Sequence, residues 1–350
     1  NNLGRLDALE MTARSLEIID GSQPKACPSL AMFRRIAFAL LAFVSGIVIA
    51  EPEAGGEPYP VLLLVPGSGA VYSDFADGFS VCFGTKGAPG SSYRIKTIKQ
   101  VQKRPELLAG HRVVAVGTKS SELMQVYGNS RPFVSALVPE SFARRLLESG
   151  EKGSGVTSFF FLDQPLNRRL SLIRTLLPAA EKLSAVLGQE SAHLKEAIMR
   201  EASRLGFTVE SFVVKSGEEL PKLAAGLFDS SDGLFLVYDP ILTSPTVIRF
   251  LLYSAYQNQI PVFGYSDGYV KAGALAAVYS TSEALGCQLG EYLAEHPEHP
   301  RFPGGASNRQ PPNIFYADYY RYAVNPSVAN SLGIRIDHIP PNHLADAEEQ

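Results

Sequence analysis

Short apolar runs alternate with segments of helical period along most of this 350-residue chain. That alternation restricts the fold to parallel sheets flanked by helices. Val61 to Val65 is continuously apolar and runs into Pro66-Gly67-Ser68-Gly69, as a strand buried on both faces does. A helix is predicted over Tyr72 to Phe83, and strands over Tyr93 to Ile98 and Val113 to Val116, the latter ending at Gly117-Thr118. Ser120 to Tyr127 reads as a helix, Phe133 to Val138 as a strand and Ser141 to Ser149 as a helix. Val156 to Phe161 closes this first series.

The pattern then restarts. Helices are predicted over Asn167 to Leu177, His193 to Leu205, Glu218 to Phe228, Val247 to Asn258 and Glu283 to Glu295. Between them, strands are predicted over Lys182 to Leu187, Thr208 to Val214, Gly233 to Val237, Pro261 to Gly264 and Leu275 to Tyr279. Ile314 to Tyr320 alternates like a strand, Pro326 to Leu332 reads as a short helix, and 337–350 as a polar tail. Two series predict two lobes. In open sheets of this kind ligands sit beyond the carboxyl ends of the strands, so the post-strand loops are the candidate contacts.

Ahead of the first strand, Met32, Arg34 and Arg35 precede an apolar run over Ile36 to Val44 that continues to Ile49, and Val48 and Ala50 are small residues suited to cleavage. This is a secretory signal in form. The run is shorter than the roughly 20 apolar residues a membrane span needs, and Glu51-Pro52-Glu53 ends it. Met32 is read as the start of the exported precursor, 1–31 as an upstream stretch belonging to no functional part, and Glu51 as the first mature residue. The chain carries a net charge of −3 and has no basic block, which argues against nucleic acid as a partner. Two cysteines follow the leader, Cys82 and Cys287. In an oxidising compartment they form either a disulfide or two separate buried thiols.

Few motifs carry chemistry. Gly264-Tyr265-Ser266-Asp267-Gly268 matches the G-x-S-x-G turn of α/β-hydrolases, and Asp337, His338 and His343 would complete the order Ser, Asp, His. The motif comes late and no His-Gly-Gly oxyanion turn precedes it, so a strand-end turn is the better reading and a serine hydrolase the alternative. Pro66 to Gly69 lacks the spacing of a Walker or dinucleotide loop. It is either an anion-receiving loop of backbone N–H groups and Ser68 or a plain turn. His296-Pro297-Glu298-His299 reads as a solvated loop rather than a metal site, and no cofactor is expected.

Several stretches together resemble the ABC-transporter substrate-binding proteins of the tryptophan-binding type. They are Val114-Ala-Val-Gly-Thr118, Leu172-Ile173 through Leu177-Pro178, Gly233-Leu-Phe-Leu-Val-Tyr-Asp239, Ile260-Pro-Val-Phe-Gly264 and Val270-Lys-Ala-Gly-Ala-Leu-Ala276. The resemblance covers about residues 59 to 335. It implies a type I periplasmic-binding-protein clamshell: two flavodoxin-like lobes, joined by a hinge, closing on a small molecule. Lobe 1 would hold 59–160 and 283–305, and lobe 2 would hold 161–282 and 306–336.

The resemblance also implies a periplasmic monomer that delivers its ligand to an inner-membrane ABC permease. A sensor or an outer-membrane uptake system is the alternative partner. The ligand contacts it implies are Ser68, Gly69, Tyr72, Thr118, Ser135, Glu190, Asp239, Tyr265 and Asp267. Ser68, Thr118 and nearby N–H groups would take a carboxylate, and Asp239 or Asp267 an ammonium group. Tyr72, Tyr238 and Tyr265 would cover an apolar or ring-shaped body. In such a lobe the first and last helices lie on one side of the sheet, which brings a Cys82–Cys287 bridge within the expectation.

Overall fold

The structure is a computed structural model that describes residues 60–87, 91–127, 132–148, 155–229, 231–296 and 313–337. The leader at 32–50, the upstream residues 1–31, His299, His338 and His343 lie outside the described residues.

Among the described residues, twelve strands form two six-stranded sheets. The first contains β1 (Val61–Val65), β2 (Tyr93–Thr97), β3 (Arg112–Val116), β4 (Phe133–Val138), β5 (Val156–Phe161) and β11 (Asn313–Phe315). Its order is β11-β5-β4-β3-β1-β2, and every pair is parallel. The second contains β6 (Lys182–Leu187), β7 (Thr208–Val213), β8 (Gly233–Leu236), β9 (Val262–Gly264), β10 (Ala276–Tyr279) and β12 (Arg321–Val324). Its order is β12-β10-β9-β8-β6-β7, parallel except for the β10–β12 pair. Apart from the late edge strands, both follow the doubly wound order in which the second strand lies outside the first.

Helices cover both faces of each sheet. They are α1 (Ala70–Lys86), α2 (Ile98–Lys103), α3 (Thr118–Tyr127), α4 (Glu140–Glu148), α5 (Leu166–Leu176), α6 (Lys195–Arg204), α7 (Leu220–Phe228), α8 (Pro245–Gln257), α9 (Asp267–Lys271), α10 (Ser282–Glu295) and α11 (Pro326–Ser331). Side chains alternate across each strand and so feed two cores. Val61, Leu63 and Val65 pack against Phe75 and Phe79 of α1 and Leu285, Leu289 and Leu293 of α10. Leu62 and Leu64 face Val101 and Met124 on the other side. In the second lobe α5, α6 and α11 cover one face and α7, α8 and α9 the other.

Three glycines let α1 and α10 meet backbone to backbone. A Cβ on Gly78 would lie 2.0 Å from the Glu283 carbonyl, and one on Gly286 2.0 Å from the Phe75 carbonyl. A Cβ on Gly290 would lie 2.8 Å from the Phe79 carbonyl. The same two helices carry a disulfide, Cys82 to Cys287, with Cα atoms 5.0 Å apart and a separation of 205 positions in sequence.

The predicted elements match the observed ones closely, with three differences. The helix α2 after β2 and the short helix α9 after β9 lack enough apolar period to be read as helices. The predicted strand over Ile314 to Tyr320 shrinks to β11 in the first sheet, and β12, which follows at Arg321–Val324 in the second sheet, has no predicted counterpart. The lobe boundary expected at 306 therefore falls between 315 and 321, because β11 pairs with β5 of the first sheet.

The chain passes between the sheets at 162–165, 280–281 and 316–320. One hydrogen-bond chain ties the three passages together. Gln164 donates to the Ser280 hydroxyl at 2.9 Å, and Ser280 donates to the Tyr319 carbonyl at 2.6 Å. Arg168, stacked over the Tyr320 ring, donates to Gln164 Oε1 at 3.2 Å and to the Ala317 carbonyl.

Candidate functional site

The carboxyl ends of both sheets carry the loops that the strand order marks out. In lobe 1 they follow β1 and β3. Gly69 caps α1 with no side chain, so no side-chain oxygen caps the first turn, while the Tyr72 N–H donates to the Gly69 carbonyl at 2.9 Å. Gly117 has φ of 80°, which a residue with a Cβ adopts only at a cost. A Cβ there would also lie 3.1 Å from the Tyr72 ring. Tyr72 thus spans the two loops, half-buried, with Ser68 exposed beside it and Thr118 opening α3. Ser135 lies deeper. It is fully buried within β4, and its hydroxyl is 2.7 Å from that of Ser121. It supports α3 from beneath rather than facing the loops.

Lobe 2 has its counterpart after β6 and β8. The Asp239 carboxylate is 1% exposed and fully engaged. It accepts from the Ser191 N–H and hydroxyl, each at 2.9 Å, and from the Ile241 N–H at 3.0 Å. A Cβ on Gly188 would meet its Oδ1 at 2.0 Å. Asp239 therefore clamps the two loops together, and the role of ammonium partner expected for it does not fit this geometry. Asp267 opens α9 and pairs with Lys271 at 2.8 Å, keeping part of its carboxylate exposed. Glu190 accepts from Arg145 of α4, in the opposite lobe, at 2.8 Å.

An aromatic wall stands on the ends of β8 and β9. The Tyr238 and Tyr265 rings meet edge to face with centroids 5.7 Å apart, and Tyr265 leans on Tyr269 at 4.9 Å. Burial pushes both the Tyr238 and Tyr265 hydroxyls above their ordinary range, so both remain neutral donors. For Tyr238, the charges of Asp163, Glu190 and Asp239 add to the effect.

Sequence reasoning missed the charged groups around the crossovers. Asp163, in the first passage, accepts from the Glu140 N–H at 2.7 Å and so caps α4. Burial raises its carboxyl to about 6, with the Glu140 charge adding and Arg169 opposing. The Glu140 carboxyl is also raised by burial, against a hydrogen bond from the Tyr316 hydroxyl at 3.0 Å. Arg169 is 6% exposed, beneath the strand ends of lobe 2. A lone Asp, Gln or Arg in a polar stretch carries no sequence signal until topology brings the passages together.

The hydrolase alternative finds no support in the geometry. Ser266 has ordinary extended backbone, φ −151° and ψ 160°, not a strained elbow. Asp337 lies in a groove with Pro178 and Asp232, at the amino ends of the lobe 2 strands. Ser266 follows the carboxyl end of β9, so the two stand at opposite ends of the sheet. That groove is open and has a volume of about 620 Å³, but it is remote from the crossovers. The His296 ring lies tilted against that of Tyr292, with centroids 4.6 Å apart, and its Nδ1 is 2.7 Å from the Tyr292 carbonyl.

A family model described as ABC transporter substrate binding protein matches residues 74–338. A tyrosine-binding protein of Clostridioides difficile (strain R20291) is 24% identical over 186 residues, which are 52% of this chain and 53% of that protein. The match thus spans about half the length of this curated relative. Among solved structures, a substrate binding protein with adhesive properties from Clostridium difficile, ligand-free and open, superposes with a TM-score of 0.62 at 18% identity, covering 83% of this chain and 100% of the other. An ABC domain in complex with L-Trp from Streptococcus pneumoniae gives 0.53 at 18% identity, covering 81% and 97%.

Proposed function

The chain belongs to the family of ABC transporter substrate binding proteins, and on that premise we propose that it captures an amino acid or a ring-bearing carboxylate metabolite between its lobes for uptake. The family is one of binding proteins, not of enzymes. The observation that carries the ligand class is the pair of neutral tyrosines, Tyr238 and Tyr265, set edge to face at the strand ends of one lobe. A ring inserted beside them gains aromatic contact of about 0.5–1.5 kcal/mol beyond its buried area.

The rest of the site follows from charge. The uncapped first turn of α1 and Thr118 at the start of α3 receive the carboxylate. Tyr72 lies between those two helix starts. Asp267 is the part-exposed carboxylate at the rim and takes the ammonium group. The relatives that bind tyrosine and L-Trp support this class. Export through the Met32 to Ala50 leader, a monomeric working state and delivery to a membrane permease complete the proposal.

A thermal-shift screen of the twenty amino acids and simple aromatic acids tests it. A ligand at a hundredfold excess over its Kd stabilises the native state by about 2.7 kcal/mol, a rise of several degrees in Tm. Aromatic amino acids are expected to give the largest shifts. A screen in which no amino acid or aromatic acid moves the Tm overturns the proposal.

A further inference from the structure

Arg169 has an unusual position for a cation. It projects from α5 under the sheet of the second lobe and is 6% exposed. The pairing of β8 with β9 extends over two registered pairs, Leu234 with Val262 and Phe235 with Phe263. Beyond them the strands part, and Arg169 bridges the gap. Its Nη2 donates to the Leu236 carbonyl and, at 3.3 Å, to the Gly264 carbonyl. Its guanidinium carbon lies 4.5 Å from the centre of the Phe235 ring. Its Nε is buried and has no partner among the described residues.

The two bridged carbonyls belong to the last residues of β8 and β9. Tyr238 stands two residues past the first and Tyr265 one residue past the second. Glycine at 264 is required here, since a Cβ would lie 2.5 Å from that of Tyr269. Both tyrosines therefore leave the sheet from backbone held by one guanidinium. The two hydrogens of that one nitrogen are fixed in the guanidinium plane and can hold two carbonyls at a set separation, whereas the hydrogens of an ammonium turn freely on a flexible stem. Burying a cation is costly unless it has partners. The carbonyls, the Phe235 ring face and the nearby Asp163 charge supply them.

We propose that Arg169 is a positioning residue for ligand selection: by bridging Leu236 and Gly264 it fixes the separation of Tyr238 and Tyr265, and that separation favours ring-bearing ligands over branched aliphatic ones. This rests on the reading of the cleft as an amino-acid site. Arg169 touches no ligand itself. It acts through the two tyrosines.

The test uses the whole chain carrying Arg169→Lys, and Phe235→Leu as a milder variant that keeps the hydrogen bonds and removes the ring under the guanidinium. Amide hydrogen exchange without ligand reads the backbone at 237–239 and 265–266. Exchange there is expected to rise about tenfold in Arg169→Lys, with a smaller rise in Phe235→Leu, while β1 and β3 stay unchanged. Calorimetric titration with L-tryptophan, L-tyrosine and L-leucine reads selection. Affinity for the two aromatic ligands is expected to fall about tenfold and that for leucine to change less than threefold. Unchanged exchange, or equal losses for all three ligands, overturns the proposal. If the wild-type chain binds none of the three, the amino-acid reading fails and ligand selection by Arg169 fails with it, while the exchange measurement still decides whether Arg169 positions the strand ends. Should Arg169→Lys fail to fold, Phe235→Leu decides the same question by the same two readings.

Discussion

The guanidinium of Arg145 in the first lobe donates to the carboxylate of Glu190 in the second at 2.8 Å, with Glu122 of its own lobe 3.8 Å away. Arg145 thus has a partner on each side of the cleft. If the lobes part, it keeps the one at home.

For that reason Glu190→Gln is expected to weaken ligand binding without harming the fold. The pair is half exposed, so its worth is small, about 0–1 kcal/mol, or up to a fivefold change in Kd. The change should be seen at low ionic strength and vanish near 0.5 M NaCl, where the charges are screened. Titrations at both salt concentrations check this. A loss of equal size in both would show that charge is not the cause.

The Asp163 carboxyl, raised to about 6 against an ordinary 3.8, makes stability depend on pH. Because its folded value is the higher one, its contribution is fully present below the unfolded value and is lost as pH rises through about 6. Asp163→Asn keeps an acceptor for the Glu140 N–H and removes the titration. The variant should gain on the wild type progressively between pH 4 and 6.5, by on the order of 2 kcal/mol. Thermal melts across that window check it, and a constant difference would show that the group titrates normally.

The Cys82–Cys287 bond closes a long loop that contains most of the second lobe. Such a cross-link restricts the unfolded chain, and its removal is expected to cost about 2–5 kcal/mol. Wild-type protein should lose several degrees of Tm in reductant, and a Cys82→Ala, Cys287→Ala double variant should be insensitive to it. A wild-type Tm indifferent to reductant under denaturing exposure would argue against the bond.

Two glycines of α1 should respond oppositely to alanine. At Gly84 a Cβ meets nothing within 4 Å, so Gly84→Ala gains the usual helix preference of about 0.5–1 kcal/mol. At Gly78 it meets the Glu283 backbone at 2.0 Å, and Gly78→Ala should cost about 3 kcal/mol by forcing α1 and α10 apart. Denaturant midpoints of the two variants check the contrast. Equal effects would show that the seam is not tightly packed.

Much of the fold was legible because period and burial coincide. A strand such as Val61–Val65, covered on both faces, is apolar throughout. The short helices α2 and α9 were not legible, since they bury only one or two side chains each. The strand β12 was not legible either, since its four residues, Arg321–Val324, bury only two side chains at the sheet edge. Topology places the post-strand loops at the carboxyl ends of the sheets, but the surroundings of individual side chains were not legible. Asp239 looks like a ligand partner in sequence and is spent on Ser191 and Ile241. Arg169 meets carbonyls more than sixty positions away and Asp163 the start of α4, 23 positions back, and no local pattern signals either.

The threefold passage between sheets also sets an order of manufacture. Lobe 1 begins first at the ribosome, yet its edge strand β11 and the helix α10 that seals α1 come from residues 282–315, after most of lobe 2 has been made. Until then Phe75, Phe79 and Cys82 have no covering helix, and Cys82 lacks its partner Cys287. Lobe 2 runs unbroken from β6 to β10 and lacks only its antiparallel edge and one short helix. The sequence of the later lobe is therefore nearly complete while the earlier lobe still has one apolar flank open, the kind of transient exposure that favours aggregation.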